Sequence, residues 1–454
     1  MTPIRRAADR TFGSLQIRNY RLFVSGQLVS MTGTWMQTVA LGWLVLRLTD
    51  SGVAVGINLA LQFLPMLLFG LWGGLVADRF DKRRILLRTQ SVMAVLAVAL
   101  WALTLSDAAQ LWMIYLITFL TGMTTVLDNP ARQSFVTEMV GRDLVPNAVS
   151  LNSAVFNASR IIGPALAGVA IATVGLPWAF LVNAGTFVAV ILALRAMDPA
   201  LLHRGAAVAR EAGQVRAGLR YVWSTPRLRG TVALVAVVAT FGLNFSVVLP
   251  LLARFTFDRG AETFGFLTSM MASGALVGAL FNAARPRPTK RWLIFSAGAF
   301  GILVTAAAMA PTLPVLAVLL VPIGAASISF IAAANTTLQL HSEPGMRGRV
   351  MALHGLVFLG STPLGAPLVG WASQTWGPRY GLAIGGISSL VAAGVAAGAV
   401  VMKRRASESD DEGDHPDRAA GERGLLHVDL PRRAETDRLG LDAGRERCPE
   451  PSSA

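Results

Sequence analysis

Only one cysteine, Cys448, occurs in a chain of 454 residues, so no internal disulfide can close and no cysteine-based metal site can form. Its neighbours are arginines, glutamates and prolines, a solvated flank that suits a reducing cytoplasm and leaves the thiol idle. Charge is scarce too: 15% of residues are charged against 53% hydrophobic. With a mean hydropathy of +0.54, the composition lies outside the range of soluble domains and makes lipid the expected solvent. There is no Gly-x-x-x-x-Gly-Lys-Ser/Thr phosphate loop, which argues against an ATP-driven pump in this chain and leaves an ion gradient as the energy source. Nor do the apolar runs hold His-Glu-x-x-His, Gly-x-Ser-x-Gly or clustered Asp and His. Neither catalysis nor a metal or organic cofactor is therefore expected.

What the chain has instead is apolar length. A membrane helix needs about 20 mainly apolar residues. Cutting at charge clusters and Gly/Pro turns leaves twelve such runs, near 22–46, 53–77, 85–105, 111–127, 148–174, 178–196, 230–252, 264–284, 292–310, 313–338, 350–375 and 380–402. The predicted fold class is an all-α membrane protein of twelve helices in two six-helix bundles. The first run is too long for a signal-peptide core and lacks a small-residue cleavage site, so it is expected to stay attached as helix one. A net charge of +14 does not mark a nucleic-acid surface, because the basic residues fall in short clusters between apolar runs. Those clusters set orientation instead. One set of connections holds Arg18 and Arg21, Arg79 to Arg88, Arg132 and Arg142, the stretches 195–229 and 285–291, and Arg347 and Arg349. The opposite set holds little more than Arg47, Arg254, Arg259 and Arg379. The first set and both termini are predicted to be cytoplasmic.

The chain then divides into a cytoplasmic N-terminus (1–21), a first bundle (22–197), a cytoplasmic linker (198–229), a second bundle (230–402) and a tail (403–454). In the linker Val215, Leu219, Val222 and Trp223 recur at helical spacing among arginines, as in an amphipathic surface helix. The tail is rich in Arg, Asp, Glu and Gly and poor in aromatics, which predicts disorder. The bundles share an ordered self-similarity: Gly163, Gly168 and Gly175 recur as Gly365, Gly370 and Gly377, Arg47-Leu-Thr as Arg254-Phe-Thr, and Asn129 with Gln133 as Asn335 with Gln339. A parallel duplication of this kind implies two bundles facing each other across a central cavity.

Two segments carry most of the functional signal. After the second run comes Gly74-Leu-Val-Ala-Asp78-Arg79-Phe-Asp81-Lys82-Arg83. Gly74 permits close helix approach, and Asp78 at the membrane edge can accept charge-assisted bonds from basic groups or a helix N-terminus. The basic residues could be topological anchors alone, but anchoring needs no acid. The fifth run holds Arg160-Ile-Ile-Gly163-Pro164-Ala-Leu-Ala-Gly168, in which proline frees a carbonyl and bends the axis while the glycines allow close packing. Further segments are Ser14 to Phe23, Asp128-Asn-Pro-Ala-Arg132-Gln133, Pro146-Asn-Ala148 and Gly218 to Trp223.

Together these resemble the major facilitator superfamily, and within it the branch that contains the enterobactin exporter and macrolide efflux proteins, over about residues 14–402. The resemblance implies alternating access and a gate in which Gly74, Asp78, Arg79, Lys82 and Arg83 latch the inward side. It also implies secondary active export of small amphipathic molecules, siderophore-like or drug-like, by proton-coupled antiport across a bacterial inner membrane. Lysophospholipid or other lipid transport by the same fold is the alternative. The sequence departs from the pattern at Asp81, where the superfamily usually has glycine, and in the second half, where Gly278 and Asn282 replace Gly74 and Asp78. Ile117 stands where the usual helix-four arginine would fall, so no coupling residue carries over to that position.

Charge inside a bilayer is costly and usually functional. Arg160 falls about 20 Å into the fifth helix if that begins near Asn147, and should face the cavity unless carbonyls freed near Pro164 satisfy it. Asp128, Arg132 and His354 are candidate proton or gate groups, with Asp128 only a turn or so from the inner end of helix four and nearer to Arg132 than to Arg160. Glu138 and Glu262 are further protonatable residues, and His354 reads first as a neutral, hydrogen-bonded residue on a packed helix and second as a relay. Gln37, Asn58 and Gln62 are candidate cavity lining or interhelical bonding groups, with Trp35, Trp43, Phe63 and Phe245 as apolar walls. The expected partners are a small-molecule substrate, the bilayer and a coupling proton; the oligomeric state has no signal in the sequence. The arginine asymmetry predicts that a periplasm-active reporter fused near Ser409 stays silent, and a bright signal would show an odd number of crossings.

Overall fold

A computed structural model describes residues 13–203, 214–285 and 289–413, and the disorder expected of the tail from 414 onward lies outside them. The chain forms two compact units, Met1–Gly398 and Ala399–Ala454; the features below belong to the first, the last turns of the final helix excepted. Among the described residues every regular element is helical, as lipid requires of a chain that must satisfy its own backbone.

The first half comprises α1 (Arg18–Thr49), α2 (Gly52–Arg79) and α3 (Lys82–Leu105), then one helical run, Leu111–Thr173, and α6 (Leu176–Ala196). The long run breaks at Gly141, where φ is +70°, into α4 (Leu111–Gly141) and α5 (Asp143–Thr173). A short helix follows, α7 (Gln214–Ser224). The second half holds α8 (Leu228–Thr256), α9 (Ala261–Ala283), α10 (Lys290–Ala308), α11 (Leu313–His341), α12 (Arg347–Trp376) and α13 (Pro378–Gly413). Eleven of these are long and apolar enough to cross a membrane. The remaining long helix, α1, has 32 residues, about 48 Å at 1.5 Å per residue. It reads as less apolar because Ser30, Thr34 and Gln37 lie along it.

Several boundaries differ from the sequence reading. Helix four was expected to stop near 127, yet α4 runs on to Gly141, so Asp128 and Arg132 stand well inside it rather than a turn from its end. Pro130 does not break the helix, because neighbouring helices can meet the carbonyl it frees. The last helix continues to Gly413, past the predicted edge of the tail. In the linker Val222 is buried against Leu228, Leu338, Val350 and Leu353, while Leu219 and Trp223 are exposed. α8 is irregular: its turns widen to the π form over Val238–Gly242 and again over Leu252–Thr256. Asn244 donates from Nδ2 to the Thr240 carbonyl at 2.7 Å, satisfying a carbonyl the break leaves open.

The internal repeat has a structural counterpart. Gly175 and Gly377, at equivalent points before α6 and α13, hold φ of +98° and +106°, a conformation that favours glycine. Gly163 packs on α1 and Gly365 on α8; Gly168 packs on α9 and Gly370 on α2. Each half thus presents its fifth helix to its own first and to the opposite half's second. Two helix pairs, α2 with α12 and α5 with α9, make the most extensive contacts between the halves.

Close approach is tightest where a glycine faces a carbonyl, as at Gly274 of α9 against Val321 of α11. Gly274→Ala is expected to lower stability by about 1–3 kcal/mol through overpacking. Gly394→Ala, with nothing within 4 Å of the new carbon, should be neutral or stabilising by up to about 1 kcal/mol. Melting of the purified variants gives the comparison, and equal shifts would overturn it.

Candidate functional site

The segment that closes α2 organises one end of the first half. Asp78 is half-buried and Arg79 exposed. Lys82 Nζ meets Glu138 of α4 at 2.9 Å, and Arg83 donates from Nε to the Leu194 carbonyl at 2.8 Å and from Nη2 to Arg195 at 3.2 Å. Arg83 thereby covers the carbonyls left open at the end of α6. Asp81, where the family pattern has glycine, caps α3: its backbone is extended (φ −61°, ψ 115°) and Oδ1 accepts from the Arg84 N–H at 3.0 Å. The turn needs no positive φ, so aspartate serves and adds a cap. Gly74 is buried, and its neighbour Gly73 lies close against the Val126 carbonyl of α4.

Deeper in the same half lies a buried ionic cluster. Asp128 Oδ2 accepts from Arg132 Nε at 2.9 Å and Nη2 at 2.5 Å, while Oδ1 accepts from Thr89 Oγ1 at 2.7 Å and Gln90 Nε2 at 2.9 Å. Arg132 also donates to Gln27 Oε1 of α1. Asp128 pairs with Arg132, and the two side chains are 4% and 13% exposed. The pair ties α1, α3 and α4 together, and Gln27 Nε2 and Gln90 Oε1 remain without hydrogen-bond partners. His354 lies in the other half, buried beside Phe358, with Nδ1 also unpartnered.

Gln37, Asn58 and Gln62 line one cavity together with Thr118, Asn183 and Ser246. Asn183 donates to Gln37 Oε1 at 2.7 Å and Thr118 to Asn58 Oδ1 at 2.8 Å, so the polar groups are neutral and internally bonded, set among apolar walls that include Leu41, Val55, Leu100 and Phe187. Its volume is about 180 Å³, below the 300 Å³ or more of a site enclosing a drug-sized molecule. Ser246 from the irregular α8 brings the second half to this cavity. Trp43 packs on the main core and Phe245 lies within it.

The two ends of the half–half junction differ. At the end carrying the α1–α2 turn, Gly52 lies so close to Gly370 that an added carbon would sit 2.6 Å from its carbonyl oxygen. Gly56 faces Ala366, Gly168 faces Glu262 and Gly265 faces Pro164. Ser51 Oγ bonds Gln374 Oε1 at 2.7 Å, and Arg254 Nη2 pairs with Asp50 at 2.5 Å. Ser269 reaches across to the Ile161 carbonyl at 2.9 Å. Toward the Asp78 end, α5 carries an exposed inner stripe: Val149 is 52% and Phe156 40% exposed, with Ser153 exposed between them, whereas Ala167 on the same stripe is fully buried. A cleft therefore opens toward the Asp78 end and closes toward the Asp50 end.

Arg160 stands on that stripe where the cleft narrows. Its guanidinium lies 5.7 Å from the centre of the Trp35 ring, and neither an ion pair nor a hydrogen bond joins it to another described residue. Gly163, one turn on, sits against Thr32 and Trp35 of α1. Sequence reasoning missed the contributions of Thr89, Gln90, Thr118, Asn183 and Ser246. Single polar residues in apolar helices show no periodic sign of which neighbour they meet.

A family described as transmembrane secretion effector matches residues 10–430. The multidrug efflux pump Tap of Mycolicibacterium fortuitum is 29% identical over 77% of this chain and 88% of its own length. The enterobactin exporter of Escherichia coli is 25% identical over 82% of this chain and 89% of its own. The staphyloferrin A transporter of Staphylococcus aureus is 29% identical over 57% of this chain and 66% of its own. Among solved structures, the nucleoside transporter NupG aligns with a TM-score of 0.68 at 12% identity, covering 84% of this chain and 98% of that one. A bacterial homologue of ferroportin in an inward-facing state aligns with 0.66 at 15%, covering 84% and 98%.

Removing one partner of a buried ion pair costs about 3–5 kcal/mol. Asp128→Asn is accordingly expected to melt well below the parent protein. Asp128→Leu combined with Arg132→Met should melt above either single variant, since both charges go together. If Asp128→Asn melted with the parent protein, the pair would not be what joins α1, α3 and α4.

Proposed function

Because the chain belongs to the transmembrane secretion effector family of major facilitator transporters, we propose that it exports small amphipathic molecules by alternating access, driven by proton antiport. It is a transporter and not an enzyme. The observation that carries the mechanism is the asymmetry of the junction, sealed by glycine contacts and the Asp50–Arg254 pair at one end and open along Val149, Ser153 and Phe156 at the other. With the arginine-rich connections facing the cytoplasm, the cleft opens inward and both termini lie on the cytoplasmic side of a bacterial inner membrane. Cargo enters from the cytoplasm or inner leaflet, and the halves rock until the Asp50 end parts and the Asp78 end shuts. In that opposite state Asp78 is the acid that latches the second half.

Asp128 is the group proposed to carry the proton. It is a carboxylate buried among bonded side chains of three helices, and protonating it would loosen Arg132 and Gln27 together. His354, alone in the other half, is the secondary candidate. Drug-like or siderophore-like cargo fits the relatives named, which include a multidrug pump and an enterobactin exporter; none of them supports the lipid alternative.

Cells carrying the chain are expected to accumulate less of at least one compound in a panel of efflux dyes and siderophores, with an uncoupler abolishing the difference. Asp78→Asn should cripple that efflux at normal membrane abundance, because it removes a charge without changing shape. Efflux indifferent to the uncoupler would sink proton coupling, and full efflux by Asp78→Asn would sink the latch.

A further inference from the structure

The fifth helix shows two exposed stripes of different meaning. Ile162, Leu166 and Val169, at 45%, 48% and 60% exposure, form an apolar face of the kind lipid covers. At 3.6 residues per turn Val169 points about 180° away from Arg160. The other stripe, Val149, Ser153 and Phe156, continues to Arg160 at spacings of four, three and four residues and lies along the cleft between the halves. Arg160 is thus turned from lipid toward the path that cargo would take, about 25 Å along α5 from Asp143.

A cation at that depth needs a counter-charge or several carbonyl oxygens, and among the described residues Arg160 has neither. Trp35 is its one neighbour of note, and Phe156 meets the same indole edge-on, with centroids 5.9 Å apart and planes at 73°. Of the acids inside the described helices, Asp128 pairs with Arg132, Glu138 with Lys82, and Glu262 accepts from the Gly260 N–H at 2.9 Å, while Asp78 and Asp143 stand at the ends of α2 and α5, away from Arg160. None of the residues lining the neutral cavity beside α1 is charged. A positive group held over an aromatic wall, in a cleft without a facing carboxylate, complements a negative headgroup on an apolar body. The planar guanidinium adds a two-pronged fit to an oxyanion.

We infer that Arg160, backed by Trp35 and Phe156, selects the cargo, and that the cargo is an amphipathic organic acid bearing a carboxylate or similar oxyanion. The inference rests on the export reading only in treating the cleft as the cargo's route. Recognition of the acid is a binding property and needs no gradient, direction or coupling ion.

The test uses the purified full-length protein in detergent with three probes sharing one fluorophore: dansylglycine (anionic), dansylamide (neutral) and dansylcadaverine (cationic). Dansyl emission titrations are expected to show dansylglycine binding at least about tenfold tighter than either other probe, the scale of a charge-assisted hydrogen bond. Arg160→Gln should weaken dansylglycine about tenfold while leaving dansylamide unchanged, which also reports that the cleft is intact. Arg160→Lys should retain part of the preference, keeping the charge without the fork. Dansylglycine binding no tighter than dansylamide, or undetectable, overturns the proposal. So does an Arg160→Gln variant that keeps the parental preference. A failure of uncoupler-sensitive efflux alongside the expected binding pattern would count against the export mechanism and leave the recognition of acids standing.

Discussion

Everything in this protein depends on backbone meeting backbone where the two halves touch. In lipid, apolar side chains gain little by leaving their solvent, so helices associate through close packing rather than through the hydrophobic effect. Glycines at 52, 56, 168, 265 and 370 bring α2 onto α12 and α5 onto α9 at one end. Such contacts are dense where they exist and absent as soon as the axes part. A junction built this way suits separation at one end with closure at the other, and the open stripe on α5 is its visible result.

Charge is handled by the opposite means. Where the chain places ionisable groups inside the first half it surrounds them, as Thr89, Gln90, Gln27 and Arg132 surround Asp128. Lys82 with Glu138, and Arg83 on the carbonyls of α6, do the same at the membrane edge. The half therefore behaves as one body with its charges internally neutralised, and Arg160 is the exception that faces the cleft. A rigid body that turns one interior cation, without an acid partner among the described residues, into the cleft suits a site that moves as a unit.

The spans, their six-and-six division and the repeated glycines were legible because hydropathy and Gly/Pro punctuation are long-range regularities that survive uncertain boundaries. The end of α4 was misread because Asp128, Arg132 and Glu138 look like a charged loop until their partners on α1 and α3 are in view. Asp81 looked like a defect in a glycine turn; the actual turn is extended, and the same residue is a cap. Gln37, Asn58 and Gln62 could be named from helical faces, but Asn183 and Ser246 could not, since nothing along a single helix says which neighbour shares its cavity. The widened turns of α8 left no compositional mark beyond Asn244 and Pro250.

The sealed end joins the halves with many uncharged contacts and one exposed ion pair, Asp50 being 60% and Arg254 32% exposed at the side chain. Salt shortens the reach of surface charge to about 8 Å at physiological ionic strength, but does nothing to glycine against a carbonyl. Parting of the halves at that end is therefore set almost wholly by packing, and its ease should be nearly the same in dilute and in saline surroundings.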